Sequence, residues 1–399
     1  MKALEIFAGA GGLALGTTQA GFEHVAVVER DRNACETIRE NNRRRIIDWP
    51  LHEGDVRQFD FRPFAGTELL AGGPPCQPFS IGGKHKGHQD HRNLFPEAIR
   101  AVREIQPKVV LLENVKGLLR QTFASFFQYV VLQLNYPELT IKKSETWDSH
   151  LSRLERFHAK GKSSELAYHV AFRRINAADY GVPQRRERVF IVGFRRDLAV
   201  QWTFPEFTHS LDALLHSQWV TGEYWERHEV SKKDRGTIPS KYAARIPHLR
   251  SASLWGEVEP WRTVRDAISD LPQPKVGGCK IANHVLNAGA RAYGGHTGSP
   301  IDEPAKTLKA GDHGVPGGEN MLVLPNGDVR YFTVRESARI QTFPDDFVFQ
   351  GSWTESMRQL GNAVAVNVAF RIAESIRDAL QAGEAGRRTN EGRSSLQPA

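Results

Sequence analysis

Cysteine is nearly absent. Three residues in 399, Cys35, Cys76 and Cys279, are too few for a disulfide framework or a thiolate metal cluster. Their scarcity points to a reducing, cytoplasmic setting. Long hydrophobic runs are missing too. No apolar stretch approaches the roughly 20 residues that span a bilayer, so no membrane association is expected. The opening residues, Met1-Lys2-Ala3-Leu4-Glu5, pass straight into a strand pattern and lack the features of a signal peptide. Acidic residues are in deficit. The 53 Lys and Arg against 46 Asp and Glu leave a net charge of +7. That balance suits a polyanionic partner such as nucleic acid, although many basic proteins bind none. What remains is an ordinary soluble composition, 40% hydrophobic and 25% charged. The length implies two domains, or one domain with a large insertion.

Against this scarcity, one thiol stands out. In Ala71-Gly72-Gly73-Pro74-Pro75-Cys76-Gln77-Pro78-Phe79-Ser80, a short apolar run beginning at Leu69 reads as a buried strand. Two glycines and two prolines then stop it and stiffen the turn. A thiol on a rigid loop just past a strand end is presented to a cleft, as a nucleophile is. A structural cysteine in a Gly/Pro turn is the plainer alternative.

The rest of the chain alternates strand and helix. Leu4–Phe7 is a strand, followed by a turn, Ala8-Gly9-Ala10-Gly11-Gly12, that opens a helix. Such a turn lets a ligand approach the backbone and the helix N-terminus. On its own it serves a nicotinamide cofactor or a phosphate equally well. The next strand, Val25–Val28, ends in Glu29, about twenty residues past the glycines. There an acid accepts the ribose hydroxyls of an adenosine ligand. Cys35 falls on the following helix as a core residue. Residues 81–92 are polar and basic and read as a mobile loop able to close over nucleic acid. Val109–Leu112 is a buried strand with Glu113 at its carboxyl end, where ligands of doubly wound sheets bind. Glu113 can therefore face the same cleft as Cys76 and carry a proton. The arginines of Gln184-Arg185-Arg186-Glu187-Arg188 alternate ahead of another strand and point to one side. The stretch 208–260 is irregular and polar and has no assigned role. Residues 273–327 are rich in Gly, His and basic side chains, which suits a DNA-facing region.

Pro-Pro-Cys-Gln-Pro-Phe-Ser, Glu-Asn-Val at 113–115, Gln-Arg-Arg-Glu-Arg at 184–188 and Gly-Asn-Ala-Val at 361–364 together resemble the DNA cytosine-5 methyltransferases of bacterial restriction–modification systems. The resemblance runs from near Met1 to about Leu380. It implies an α/β fold with a doubly wound, mostly parallel Rossmann-like sheet, and a second, smaller irregular/β target-recognition domain. Residues 1–207, rejoined by 360–382, would form the catalytic domain, and 208–359 the recognition domain, with its base-reading part at about 273–330. From Gly383 to residue 399 the chain reads as a disordered tail.

The resemblance also implies roles. Cys76 would be the nucleophile and Glu113 the group that donates to or protonates N3 of the cytosine ring. Arg186 and Arg188 would support the flipped base. S-adenosylmethionine would be held by Phe7, Ala8, Gly9, Ala10, Gly11, Gly12, Glu29, Asp55, Val56, Leu94, Asn362, Ala363 and Val364. Gln77, Ser80, Lys84, Gln184, Thr307 and Leu308 would meet double-stranded DNA. Arg335, Glu336 and Arg339 would be structural. No metal is required. The expected enzyme is a cytoplasmic monomer whose functional partner is a cognate restriction endonuclease. Its target would be a short duplex sequence, a GC-rich palindrome by general resemblance of 289–320 to some relatives. The rival readings are a tRNA cytosine-5 methyltransferase of the same fold, an inactive DNA-binding relative, and a nicotinamide-dependent oxidoreductase.

Overall fold

A computed structural model describes residues 1–75, 93–251, 258–294, 296–311, 320–324 and 326–394. Cys76, Gln77, Ser80 and Lys84, with the 81–92 loop, lie outside the described residues. The chain divides into two compact units, Met1–Ile175 with Glu187–Pro205 and Ala369–Ala399, and Asn176–Arg186 with Glu206–Val368.

The first unit is built on a seven-stranded sheet. Its elements run β1 (Lys2–Ile6), α1 (Gly12–Gln19), β2 (Glu23–Glu29), α2 (Arg32–Arg43), β3 (Leu51–Glu53), β4 (Leu69–Gly72), α3 (Phe95–Ile105), β5 (Val109–Val115), α4 (Ala124–Asn135), α5 (Trp147–Ala159), β6 (Tyr168–Asn176) and β7 (Glu187–Arg195). In space the strands lie in the order β3-β2-β1-β4-β5-β7-β6. The first five are parallel, and β7 runs antiparallel to β5. This is the doubly wound, mostly parallel sheet expected from the sequence. Strands covered on both faces read as continuous apolar runs. Accordingly β4 is buried throughout and β5 is buried from Val109 to Asn114. Helix α3 shows why the alternation was legible. Pro96 sits in its first turn, where a missing N–H costs nothing. Phe95, Ala98, Ile99, Val102 and Ile105 recur at helical spacing and are buried in the sheet's main apolar core.

The second unit holds β8 (His209–Ser210), α6 (Leu211–His216), α7 (Glu223–Arg227), α8 (Ile246–Ser251), β9 (Glu259–Pro260), α9 (Val264–Ile268), β10 (Met321–Val323), β11 (Val329–Tyr331), α10 (Val334–Ile340) and α11 (Trp353–Asn362). It is more helical than its composition suggested. Its strands form two two-stranded sheets, β8 with β9 and β10 with β11. The stretch 208–260 contributes to two apolar clusters. Leu214, Tyr224, Trp225 and Val230 pack with Ala178 and Trp261 in one, and Leu215, Tyr242, Ile246 and Leu249 form another. Periodicity missed these elements because each is five or six residues long. Helix α10 opens with a reciprocal cap between Thr333 and Glu336. The Arg335 side chain is fully buried and donates to the carbonyls of Ala282, Pro344 and Phe347. Arg335 and Glu336 thus have the structural places expected of them.

Gly361 of α11 marks a close approach. A Cβ there would stand 2.2 Å from the Ala310 nitrogen and 2.5 Å from the Lys309 carbonyl carbon, both backbone atoms. Gly361→Ala is expected to destabilise the protein by about 3 kcal/mol. A fall in the urea midpoint checks this, and an unchanged midpoint refutes the close packing.

The last helix, α12 (Val366–Ser394), begins in the second unit and continues in the first. It does not stop near Leu380. Residues 383–394, expected as part of a disordered tail, continue it. The reason is composition, since Glu384, Ala385, Arg387 and Arg388 are good helix formers that offset the three glycines. Ile372, Ala373, Ile376 and Leu380 are buried. Arg377 donates to the Ala20 carbonyl at 3.0 Å. Among the described residues no helix is long and apolar enough to cross a membrane.

Candidate active site

Strand order locates the site in the first unit. From β1 the chain builds outward through β2 and β3 on one side, then returns to place β4 and β5 on the other. The order therefore reverses between β1 and β4. Ligands of open α/β sheets bind at such a reversal, outside the carboxyl ends of the strands. The glycine turn leaves β1 there and Pro74-Pro75 leaves β4 there.

Glu113 stands at the same edge, one residue beyond Leu112, which pairs with Gly72. Its carboxylate is 8% exposed, and its Oε2 lies 3.5 Å from where a Cβ of Gly73 would be. Because β7 is inverted, its first residues reach this edge as well. Val115 pairs with Arg188 and Glu113 with Phe190, so Glu113 and Arg188 are diagonal neighbours on adjacent strands. An arginine is long enough to close that diagonal. Its Nε meets Glu113 Oε1 at 2.9 Å, with both side chains largely buried. Burial pulls the Arg188 guanidinium below its ordinary value, and the Glu113 carboxylate opposes that shift. Asn114 anchors the neighbouring loop by donating from Nδ2 to the Pro74 carbonyl at 2.9 Å. The Leu94 N–H donates to the Pro75 carbonyl at 3.1 Å. The ends of the segment that contains Cys76 are thereby tied to each other and to β5.

The other two thiols are placed differently. Cys35 is fully buried on α2, as expected of a core residue, and its thiol faces the Glu29 carbonyl at 3.5 Å. Burial, with Glu29 and Glu53 nearby, pushes that thiol up to about 12. Cys279 is exposed in the second unit.

The glycine turn is preorganised. Phe7, Gly9 and Gly11 have φ of 57°, 56° and 86°. Around the Gly9 Cβ position there is open space, so a ligand can approach the backbone. Glu29, at the end of β2, accepts from the N–H groups of Gly9 (2.7 Å), Arg30 (2.7 Å) and Asp31 (2.6 Å). Its carboxylate is thus fixed beside the turn. Asp55 caps a short turn through the Arg57 N–H at 3.0 Å and pairs with the Arg57 guanidinium at 2.9 Å. Val56 beside it is buried.

Other residues named from the sequence lie in the second unit and are knit to one another. Arg186 is 1% exposed. Its guanidinium donates to the carbonyls of Leu308 (3.2 Å), Gly361 (2.7 Å) and Ala363 (2.7 Å). The fully buried Gln184 accepts the Leu308 N–H at 3.0 Å, and the Thr307 hydroxyl donates to the Arg185 carbonyl at 2.7 Å. Leu308 is 1% exposed. Ala363 and Val364 are buried, whereas Asn362 is exposed at the end of α11. Arg186 and Arg188 therefore bond different groups. One precedes β7 and serves the second unit's backbone, and the other lies in β7 beside Glu113. The Glu113–Arg188 contact itself had no sequence signal, because the inversion of β7 is a tertiary choice.

The profile of the C-5 cytosine-specific DNA methylases matches residues 1–138 and 149–378. The chain belongs to this family. Among similar proteins is the type II methyltransferase M.Eco47II of Escherichia coli, 35% identical over 94% of this chain and 78% of the relative. The type II methyltransferase M.NgoMIV of Neisseria gonorrhoeae is 32% identical over 95% and 97%. The crystal structure of the Dnmt2 methyltransferase of S. pombe is similar in fold, with a TM-score of 0.55 at 16% identity, covering 96% of this chain and 98% of that one. The protein is thus a DNA cytosine-5 methyltransferase, and S-adenosylmethionine is its methyl donor. The nicotinamide reading of the glycine turn is set aside. The residues present are compatible with the donor: the approach to the Gly9 backbone is open, and a carboxylate, Glu29, is fixed beside it.

Proposed function

We propose that this methyltransferase modifies a flipped-out cytosine in a short, specific duplex sequence through a covalent bond between Cys76 and C6. C5 of cytosine is a poor nucleophile. Addition of the Cys76 thiolate to C6 makes the ring enamine-like, so that electron density rises at C5. Glu113 donates to or protonates N3 and absorbs the charge of that addition. Arg188 holds the Glu113 carboxyl in place. S-adenosylmethionine, when bound, supplies a methyl group on a cationic sulfur, the electrophile that the activated C5 attacks. Loss of the C5 proton to a base then breaks the Cys76–C6 bond and restores the ring. The target carbon lies inside the stack, so the nucleotide is extruded at a cost of a few kcal/mol.

One observation carries this reading. The Glu113–Arg188 pair and the Asn114–Pro74 bond stand at the strand edge where the chain enters Cys76. In this reading Phe7 to Gly12, Glu29, Asp55, Val56 and Leu94 form the donor site of the first unit. Gln77, Ser80 and Lys84 meet the DNA. Gln184, Arg186, Thr307 and Leu308 brace the recognition region, 208–359, whose base-reading part is about 273–330. The enzyme acts as a cytoplasmic monomer and protects host DNA from a cognate restriction endonuclease. That physiological role draws support from relatives named as type II methyltransferases.

The test is transfer of label from S-adenosylmethionine to duplex DNA and to tRNA, side by side, with bisulfite mapping. Label at C5 of one cytosine in a fixed duplex context is expected. Label confined to tRNA, or spread over unrelated contexts, overturns the reading.

A further inference from the structure

A base reader must be exposed, and the sequence places residues at the DNA without saying which of them read bases. Gln184, Thr307 and Leu308 are committed to the backbone of their own unit or buried within it. What the 273–330 stretch does present is an aromatic pair. Tyr293 and His296 stack with ring centroids 4.4 Å apart and an interplanar angle of 33°. Their backbones bond reciprocally, Tyr293 N–H to the His296 carbonyl at 3.2 Å and His296 N–H to the Tyr293 carbonyl at 2.8 Å. The two backbones therefore close on each other, and Gly294, next to Tyr293, carries no side chain to shield its ring. Tyr293 is 51% exposed, more than any other aromatic residue among the exposed hydrophobics described.

The stem beneath this tip is fixed. Ser299 is fully buried; its N–H donates to the Met321 carbonyl at 2.7 Å and its carbonyl accepts from Val323 at 3.0 Å. Its hydroxyl accepts from the Lys306 N–H at 3.0 Å. The loop is thus stitched to β10, and the rings are presented without a large ordering cost. The charge around them suits a nucleic acid. Arg291 and Lys309 are exposed, and the Lys306 ammonium donates to the exposed Thr297 hydroxyl at 2.9 Å. The nearby acids are neutralised. Asp302 pairs with Arg265 at 2.6 Å, and Glu303 with Arg185 at 3.0 Å and Lys241 at 2.6 Å. Cations meeting phosphate position a protein on DNA, whereas groups at base edges specify sequence. Tyr and His each offer hydrogen-bonding atoms on a flat apolar ring.

We propose that the Tyr293–His296 pair contacts bases and sets part of this enzyme's target sequence. The proposal deepens, and rests on, the reading of the protein as a sequence-specific duplex methyltransferase. The experiment uses the full chain as wild type, Tyr293→Ala, His296→Ala and Tyr293→Phe. Each is given a duplex library that carries the mapped site and its single-base variants, read by bisulfite sequencing at two salt concentrations. Tyr293→Ala and His296→Ala are expected to lower kcat/KM on the mapped site by about ten- to a hundredfold. They should also raise relative methylation of variants at one or two positions, while the salt slope and the KM for S-adenosylmethionine stay unchanged. Tyr293→Phe should retain more discrimination than Tyr293→Ala. An unchanged target profile with kcat/KM within twofold of wild type overturns the proposal. A uniform loss over all sequences with a shallower salt slope also overturns it, because the pair would then touch phosphate. Failure of the underlying reading is separately visible, since wild type would place no label in duplex DNA, and the proposal would fall with it.

Discussion

Replacing Cys76 with alanine is expected to reduce methyl transfer by at least about 10³-fold, the scale of losing a nucleophile from a catalytic unit, while S-adenosylmethionine and duplex DNA still bind. The size of the effect follows from the chemistry, because without addition at C6 the C5 carbon has no means of becoming nucleophilic. Cys35 cannot substitute, because it is buried with its thiol pushed up to about 12. Cys76→Ser should be nearly as inactive, since a hydroxyl is far less ionised than a thiol near neutral pH. Single-turnover transfer with labelled donor, alongside equilibrium binding of each ligand, separates chemistry from binding. Turnover within tenfold of wild type in either variant would rule out the covalent route.

Glu113→Gln is the second large effect. Removing the proton-carrying group is expected to lower kcat by about 10²- to 10⁴-fold. The amide keeps the shape of the carboxyl and still offers Arg188 an acceptor, so the fold should survive. Glu113→Ala is different. It would leave the Arg188 guanidinium buried without its carboxylate, a change that costs about 3–5 kcal/mol when a buried pair is broken. The two variants should therefore share a catalytic defect but differ in thermal midpoint. Equal midpoints would mean that Arg188 does not depend on Glu113 for its place. An unimpaired rate in Glu113→Gln would remove Glu113 from the chemistry.

The sequence by itself determined the sheet and the family. Apolar runs at 69–71 and 109–112 had to be strands covered on both faces, and the spacing of Phe95, Ile99, Val102 and Ile105 had to be a helix, because local periodicity records which faces are buried. The glycine turn and the acid at Glu29 stood out in the sequence, and the structure places the Glu29 carboxylate on the Gly9 N–H. The Pro-Pro-Cys and Glu-Asn-Val motifs pointed to the family. The short helices of 208–260 escaped because five or six residues give too little periodicity to count.

Only the tertiary structure decided which of the arginines meets Glu113. Arg186 and Arg188 are two residues apart and look alike in sequence. One staples the carbonyls of Leu308, Gly361 and Ala363, and the other pairs with Glu113. The inversion of β7 against β5 makes that difference, and strand direction is settled by long-range pairing that a local pattern does not encode. The same holds for the Gln184 side-chain oxygen and the Thr307 hydroxyl, which bond a backbone more than a hundred residues away in sequence. A buried polar group must find a partner wherever the fold brings one, so its role is fixed by what comes near it in space.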